Sequence, residues 1–189
     1  MNENIEALKI LVNISKNLHT AKKSNYSRIK NNYLFNDRAK SKLINQVINP
    51  LDLALLDIGK EIVFFLDTIP IYNIFLKNTI GLNIYDSAEL ICEIKDINKF
   101  QTVNNLLAYA GMYPNANNYN KNLHQILLRL SHKLIKYNPV YEFVYEISYN
   151  KYKINHSNTD HVEAMARRIV IKKFIQNLFT HWKKLEEPL

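Results

Sequence analysis

Ile69–Pro114 reads IPIYNIFLKNTIGLNIYDSAELICEIKDINKFQTVNNLLAYAGMYP. Its apolar residues recur at intervals of three and four, the spacing of one helix face. Ile71–Asn78 leads to a turn at Gly81, Tyr85–Lys95 forms the next helix, and Thr102–Ala110 the one after. Thr102 carries the hydroxyl of an N-cap, Gly111 suits a left-handed C-terminal cap, and Pro114 follows where no helix can continue. The stretch predicts short helices joined by tight turns.

The same spacing extends in both directions. Upstream, Leu8, Leu11, Ile14 and Leu18, then Tyr26, Ile29 and Tyr33, then Leu43 and Val47 trace a thin stripe on a long polar helix, which Pro50 is expected to break. Leu51, Leu55, Ile58, Ile62 and Phe65 form a stronger stripe as far as Pro70. Downstream, residues 115–122 make a polar loop, and Leu123, Ile126, Leu127, Leu130 and Leu134 mark a core helix. Pro139–Asn150 carries two periods: Tyr141, Phe143 and Tyr145 alternate like a strand, while Tyr141, Val144, Tyr145 and Ser148 suit a helix, the reading taken. Asp160 and Glu163 read as a capping box opening a last helix through Leu185, with Met165, Ile169, Phe174, Leu178 and Trp182 inward.

Three glycines and five prolines are too few for the turns of a β-sandwich or barrel. The expected class is all-α: a basic helical hairpin or coiled-coil-like arm over residues 1–68, then a helical domain over 69–189 with a helix-hairpin-helix-like turn. With 47% apolar residues the 189-residue chain can bury a core, which excludes wholesale disorder. One cysteine, Cys92, excludes a disulfide scaffold and a cysteine-rich zinc site. No apolar run approaches the ~18 residues of a membrane span. The polar, acidic start Met1-Asn2-Glu3-Asn4 does not resemble a secretory signal, so the cytoplasm is the expected compartment.

The formal net charge is +8, from 20 Lys and 5 Arg against 17 acids. Abundant Asn, Ile, Lys and Tyr with scarce Ala, Gly and Arg is the bias of AT-rich coding, so the distribution carries more than the total. From Lys9 to Lys42 nine cations face Asp37 alone. From Asn49 to Pro114 four cations stand against eight anions, and beyond Pro114 twelve against six. Two basic blocks around an acidic middle point to a polyanionic partner.

The first half of Ile69–Pro114 fits a helix-hairpin-helix, whose Gly-apolar-Gly turn presents backbone N–H groups to a DNA phosphate. Here the turn is Gly81-Leu82-Asn83, with Asn, a residue tolerant of left-handed backbone, in place of the second glycine. A plain interhelical turn fits the same residues. Ile80-Gly81-Leu82-Asn83, Ala88, Glu93-Ile94-Lys95-Asp96, Phe100, Leu107-Ala108-Tyr109-Ala110-Gly111-Met112 and Pro114 follow in order. This series resembles the C-terminal domain of transposases of the insertion-sequence 110/116/902 group, relatives of the Piv DNA invertases. That family's pattern has a Pro-Gly-Ile-Gly turn, a small residue, Glu-Ile-Gly-Asp, a Phe, Leu-Ala-x-Tyr-Ala-Gly-Leu and a Pro. Weaker similarity runs back through Leu18–Asp67, where the family has a helical hairpin, and forward onto Leu123–Lys136.

The resemblance implies a DNA-recombination protein, and the departures bear on catalysis. Family members pair this domain with an N-terminal RNase H-like domain bearing four metal-binding acids, and nothing before residue 69 has that strand-rich look. Their nucleophilic serine follows the proline equivalent to Pro114, where this sequence has Asn and Tyr and no serine before Ser131. No catalytic residue is assigned, since a loop tyrosine such as Tyr119 has nothing evident to activate it. Asp86, Glu89, Glu93 and Asp96 recur on one helix face, which reads either as a divalent-metal cluster or, by preference, as a solvated face. His156 with His161, and His124 with His132, lack the company of a zinc site. No metal or cofactor is expected.

The candidate DNA-binding residues are Gly81, Leu82 and Asn83 in the turn, Lys22, Lys23, Arg28 and Lys30 around Tyr26, and Arg167, Arg168, Lys172 and Lys173 on the last helix. The expected function is backbone binding to DNA, or to structured RNA, with a second copy or a full-length transposase as protein partners and no membrane. An active recombinase subunit completed by a partner chain, and a helical interaction module without nucleic acid, are the two rivals.

Overall fold

The computed structural model describes residues 2–113 and 117–186, and the fold is all-α, with no strand among the described residues. The helices are α1 (Asn2–Asn31), α2 (Asp37–Leu43), α3 (Asn49–Asp67), α4 (Ile84–Ile94), α5 (Val103–Tyr109), α6 (Lys121–Tyr137), α7 (Pro139–Lys153) and α8 (Thr159–Glu186). They fall into two units, Met1–Thr68 and Ile69–Leu189.

In the first unit α1 packs antiparallel to α3 as the two arms of a hairpin. The chain reverses at residues 32–36, not at Pro50. Asn32 Oδ1 accepts the Leu34 N–H at 2.9 Å, and Asn36 caps α2 by accepting from Ala39 N–H at 2.9 Å. From Asp37 to Asp67 the chain stays helical through a π-helical stretch, Ile44–Ile48, where Asn49 N–H reaches back to Ile44 O. Pro50 occupies the first turn of α3, and the widened turn before it accommodates a ring that would otherwise press on the carbonyl four residues earlier. The buried face of α1 is Ile5, Leu8, Val12, Ser15 and Ile29, whereas Ile14, Tyr26 and Tyr33 of the expected stripe are exposed. Opposite it α3 buries Leu55, Gly59, Ile62 and Leu66.

In the second unit α6, α7 and α8 pack on one another, with α4 against α6 and α5 against α8. Every expected apolar position of α6 is buried. The tyrosine-rich segment is helical, as α7, with Tyr141 and Ser148 turned inward. Burial pushes the Tyr141 phenol up, partly opposed by the Asn177 amide that donates to it. For α8 the capping residue is Asn158, whose side chain accepts from His161 N–H at 3.0 Å, so the helix begins two residues ahead of the expected Asp160 box. Its buried set is Val162, Ala166, Val170, Ile171, Phe174, Ile175, Leu178 and Trp182, with Met165 and Ile169 only half-buried at its edge.

The turns of Ile69–Met112 set the direction of α4 and α5. Thr102 caps α5 in a reciprocal box with Asn105, and Gly111 closes it at φ +69°. Met112 N–H donates to Leu107 O at 2.9 Å and Gly111 N–H to Ala108 O at 3.0 Å, a paired closure that satisfies the helix's last carbonyls. Gly81 has φ +98°, and Lys95, directly after α4, has φ +62°.

Helix α4 is buried on nearly all sides, from Asp86 through Cys92 and at Ile94. Two of the four acids expected on a solvated face are instead buried, Asp86 at 3% and Glu89 at 6% exposed, while Glu93 is half-buried and Asp96 lies past the end of α4. Lys133 Nζ meets Asp86 Oδ2 at 2.6 Å, Arg129 reaches Asp86 Oδ1 at 3.6 Å, and Arg129 also pairs with Glu89. The two cations, one turn apart on α6, answer two acids three apart on α4.

Removing one member of a buried ion pair leaves the other uncompensated, so Asp86→Ala is expected to cost about 3 kcal/mol or more in urea unfolding. Lys133→Met added to that variant should recover part of the loss. Lys95→Gly and Lys95→Ala remove the same side chain but differ at a positive φ, so the glycine variant is expected to be the more stable by about 1 kcal/mol.

Candidate nucleic-acid interface

Helix α1 turns one face to its partner α3 and leaves the other open. On that open face Lys9, Asn13, Lys16, Thr20, Lys23, Ser24, Ser27, Arg28 and Asn31 succeed one another at three- and four-residue steps, all exposed. No Asp or Glu occurs between Glu6 and Asp37. Thr20, Lys23, Ser24, Ser27, Arg28 and Asn31 line a shallow open groove of about 700 Å³. Two local bonds order it: Thr20 Oγ1 donates to Lys16 O at 2.9 Å, and Asn31 Nδ2 to Ser27 Oγ at 3.2 Å. At ~1.5 Å per residue the face from Lys9 to Asn31 runs about 33 Å. The cations, with the Ser24 and Ser27 hydroxyls and the amide groups between them, are donors that phosphate and sugar oxygens take, the Thr20 hydroxyl being bonded within the helix.

The expected basic block divides on this helix. Lys23 and Arg28 line the groove, and Lys30 is exposed beside it. Lys22 points the other way and forms an ion pair with Asp52 of α3, which ties the hairpin together. Tyr26 is exposed one turn beyond Lys22 and Lys23.

In the second unit the Gly81-Leu82-Asn83 turn is built against the end of α6. A Cβ at Gly81 would stand 3.0 Å from Lys133 O and 3.6 Å from Tyr137 Cβ, and Asn138 Nδ2 donates to Ile80 O at 3.2 Å. Leu82 N–H donates to Thr79 O, and Asn83 N–H to Asp86 Oδ2 at 3.1 Å. Asn83 is extended, at φ −112°, rather than left-handed, and its side chain caps α4 by accepting from Asp86 N–H at 2.9 Å. Asparagine stands there because an N-cap needs a side-chain acceptor, which glycine lacks. Two of the turn's amides, at Leu82 and Asn83, are thereby engaged within the unit.

The α8 cations also divide. Arg167 pairs with Glu163 at 2.6 Å and lies 3.2 Å from His132 Nε2, while Lys172 Nζ sits 5.3 Å from the centre of the Tyr113 ring. Arg168 and Lys173 are exposed, with no ion-pair partner among the described residues. Five residues of helix set them about 140° apart around the axis, so they do not share a face.

The resemblance drawn from the sequence would place a serine just after Pro114. Pro114 and residues 115–116 lie outside the described residues. Tyr119 lies over Gly111, where a Cβ would stand 2.6 Å from its ring, and 5.0 Å from the His124 ring centre. His124 Nδ1 donates to Ala110 O at 3.0 Å. Asn120 Nδ2 lies 2.8 Å from both Glu93 Oε2 and the Tyr109 hydroxyl, which joins the loop to α4 and α5. Ser131 is fully buried and donates to Leu128 O. Asp96 accepts from Asn98 N–H in a short turn. No group of acids, histidines and cysteine able to hold a metal occurs among the described residues, and no described helix is long and apolar enough to cross a membrane.

The sequence reading missed two features of this surface. One is the extent of the α1 face, whose signal is the acid-free run after Glu6. The other is the exposed Tyr33-Leu34-Phe35 tip between two asparagines. No family model, curated protein or solved structure matches the chain.

Proposed function

We propose that this chain binds the sugar–phosphate backbone of nucleic acid, DNA first among the candidates, through the open face of α1. One observation carries the reading: an acid-free helix face from Lys9 to Asn31 in which cations alternate with hydroxyl and amide groups. A solvated helix in a chain with 17 acids would ordinarily mix both signs, and this face carries one. Its length is close to one turn of duplex, ~34 Å. Arg168 and Lys173 add charge in the second unit, while Lys22 and Arg167 serve mainly to hold the fold.

We further propose that the second unit is related to the C-terminal domain of the 110/116/902-group transposases. Gly81, Lys95 and Gly111 are the three described residues with positive φ, and all three fall on glycine positions of that family's pattern. A lysine held at φ +62° is what remains when an ancestral glycine is replaced and the turn is kept. The reading assigns binding to this chain and no catalytic residue.

A second reading, association of two copies, has its own observation. Val140, Phe143 and Ile147 form an exposed apolar stripe along α7, Phe143 being 63% exposed. Glu142 and Glu146 lie in the first half of that helix, Lys151 and Lys153 in the second. An antiparallel second copy would set acid against base along the same stripe.

Affinity for duplex DNA should fall linearly in log–log form with salt. Lys23→Gln with Arg28→Gln is expected to reduce the slope by about 1.8, at ~0.9 per phosphate, in fluorescence anisotropy titrations. Arg167→Gln should leave it unchanged. Absence of oligonucleotide binding at low salt removes the first reading. For the second, Phe143→Glu is expected to convert a dimer to monomer in sedimentation velocity, and a monomeric parent chain rules it out.

A further inference from the structure

Between α1 and α2 the hairpin tip presents Tyr33, Leu34 and Phe35 in succession, 91%, 76% and 37% exposed. Three consecutive exposed apolar residues are costly to a soluble surface unless they meet something. Two asparagines shape the turn. Asn32 Oδ1 holds the Leu34 N–H at 2.9 Å, and on the far side Asn36 is bonded into the start of α2. Arg28 and Lys30 precede the tip and Arg38, Lys40 and Lys42 follow it, with Asp37 the one acid among them. The groove of Thr20, Lys23, Ser24, Ser27, Arg28 and Asn31 ends at the last residue of α1, two residues before Tyr33.

We infer that this tip is a stacking wedge for unpaired nucleobases, so that the nucleic acid bound along α1 is single-stranded or carries an unpaired junction at one end. The inference rests on the backbone-binding reading above and gives it a substrate class. An exposed aromatic at the end of a phosphate-binding track takes the base π-face while the track neutralises the strand leading to it. Tyrosine serves because it offers a flat ring at the cost of ordering only two side-chain torsions. Leu34 supplies the apolar shoulder that proteins insert beside a base step. Cations with aromatics also suit an anionic bilayer, but a bilayer reads only charge and apolar area. The exposed Ser and Asn side chains between the cations keep that face polar along its length, whereas a bilayer-bound helix lays an apolar face into the interface.

The test compares a fluorescein-labelled oligothymidylate with a blunt duplex, using the full chain. Tyr33→Ala is expected to weaken oligothymidylate binding by about 5- to 150-fold, the worth of one stacked base, with an unchanged salt slope and little effect on the duplex. Tyr33→Phe should restore affinity to within about twofold, because the ring and not the hydroxyl is used. Thermal unfolding of these variants, at a side chain 91% exposed, should match the parent. If Tyr33→Ala binds oligothymidylate as the parent does, the wedge is wrong and the backbone reading stands. If the parent binds neither oligonucleotide, the backbone reading fails and the wedge with it. Tyr33-dependent sedimentation with phosphatidylserine–phosphatidylcholine vesicles, without oligothymidylate discrimination, would overturn the inference in favour of a membrane contact.

Discussion

Asp86 is the constraint around which the second unit is arranged. Its carboxylate accepts from Asn83 N–H at the start of α4 and from Lys133 Nζ of α6, and it lies within ion-pair distance of Arg129. A buried carboxylate is tolerable only with its charge answered and its oxygens bonded. Satisfying it fixes α4 on α6, and that contact in turn seats the Gly81 turn against the Lys133 carbonyl, where a Cβ would be crowded at 3.0 Å and strained at φ +98°. The same residues that look like a phosphate-binding hairpin are thus committed to holding two helices together.

Under the proposed backbone-binding reading, that commitment leaves recognition to the first unit. There the requirements are the reverse: a helix that buries one modest face and leaves the other free. Ile5, Leu8 and Val12 hold α1 to the hairpin, with the Lys22–Asp52 pair beside them, and none of these lies on the groove. Cohesion and charge are carried by opposite sides of one helix. The groove can therefore lose a cation without costing the hairpin its packing.

What the residues disclose in advance depends on how far away their partners are. Thr102 with Asn105, and Gly111 after α5, are legible because a cap is satisfied within a few residues. The leucines of α6 are legible because one helix face repeats them. Asp86 was unreadable as a buried ion because its partner Lys133 lies 47 residues away. Pro50 misled for a related reason: the local rule that proline ends a helix was met by a π-helical turn just before it. The split of Lys22 from Lys23 follows from helix geometry, yet which of the two faces α3 is decided only by packing. The exposed tip was hidden inside a stripe that ran on to Tyr33, past the end of α1 at Asn31.

Trp182 is the chain's single tryptophan, and it is buried in α8. Intrinsic indole emission therefore originates in the second unit. The basic hairpin, whose aromatic residues are tyrosines and phenylalanines, contributes to circular dichroism but no indole of its own. A tryptophan placed in the hairpin would be needed before indole fluorescence could report directly on α1.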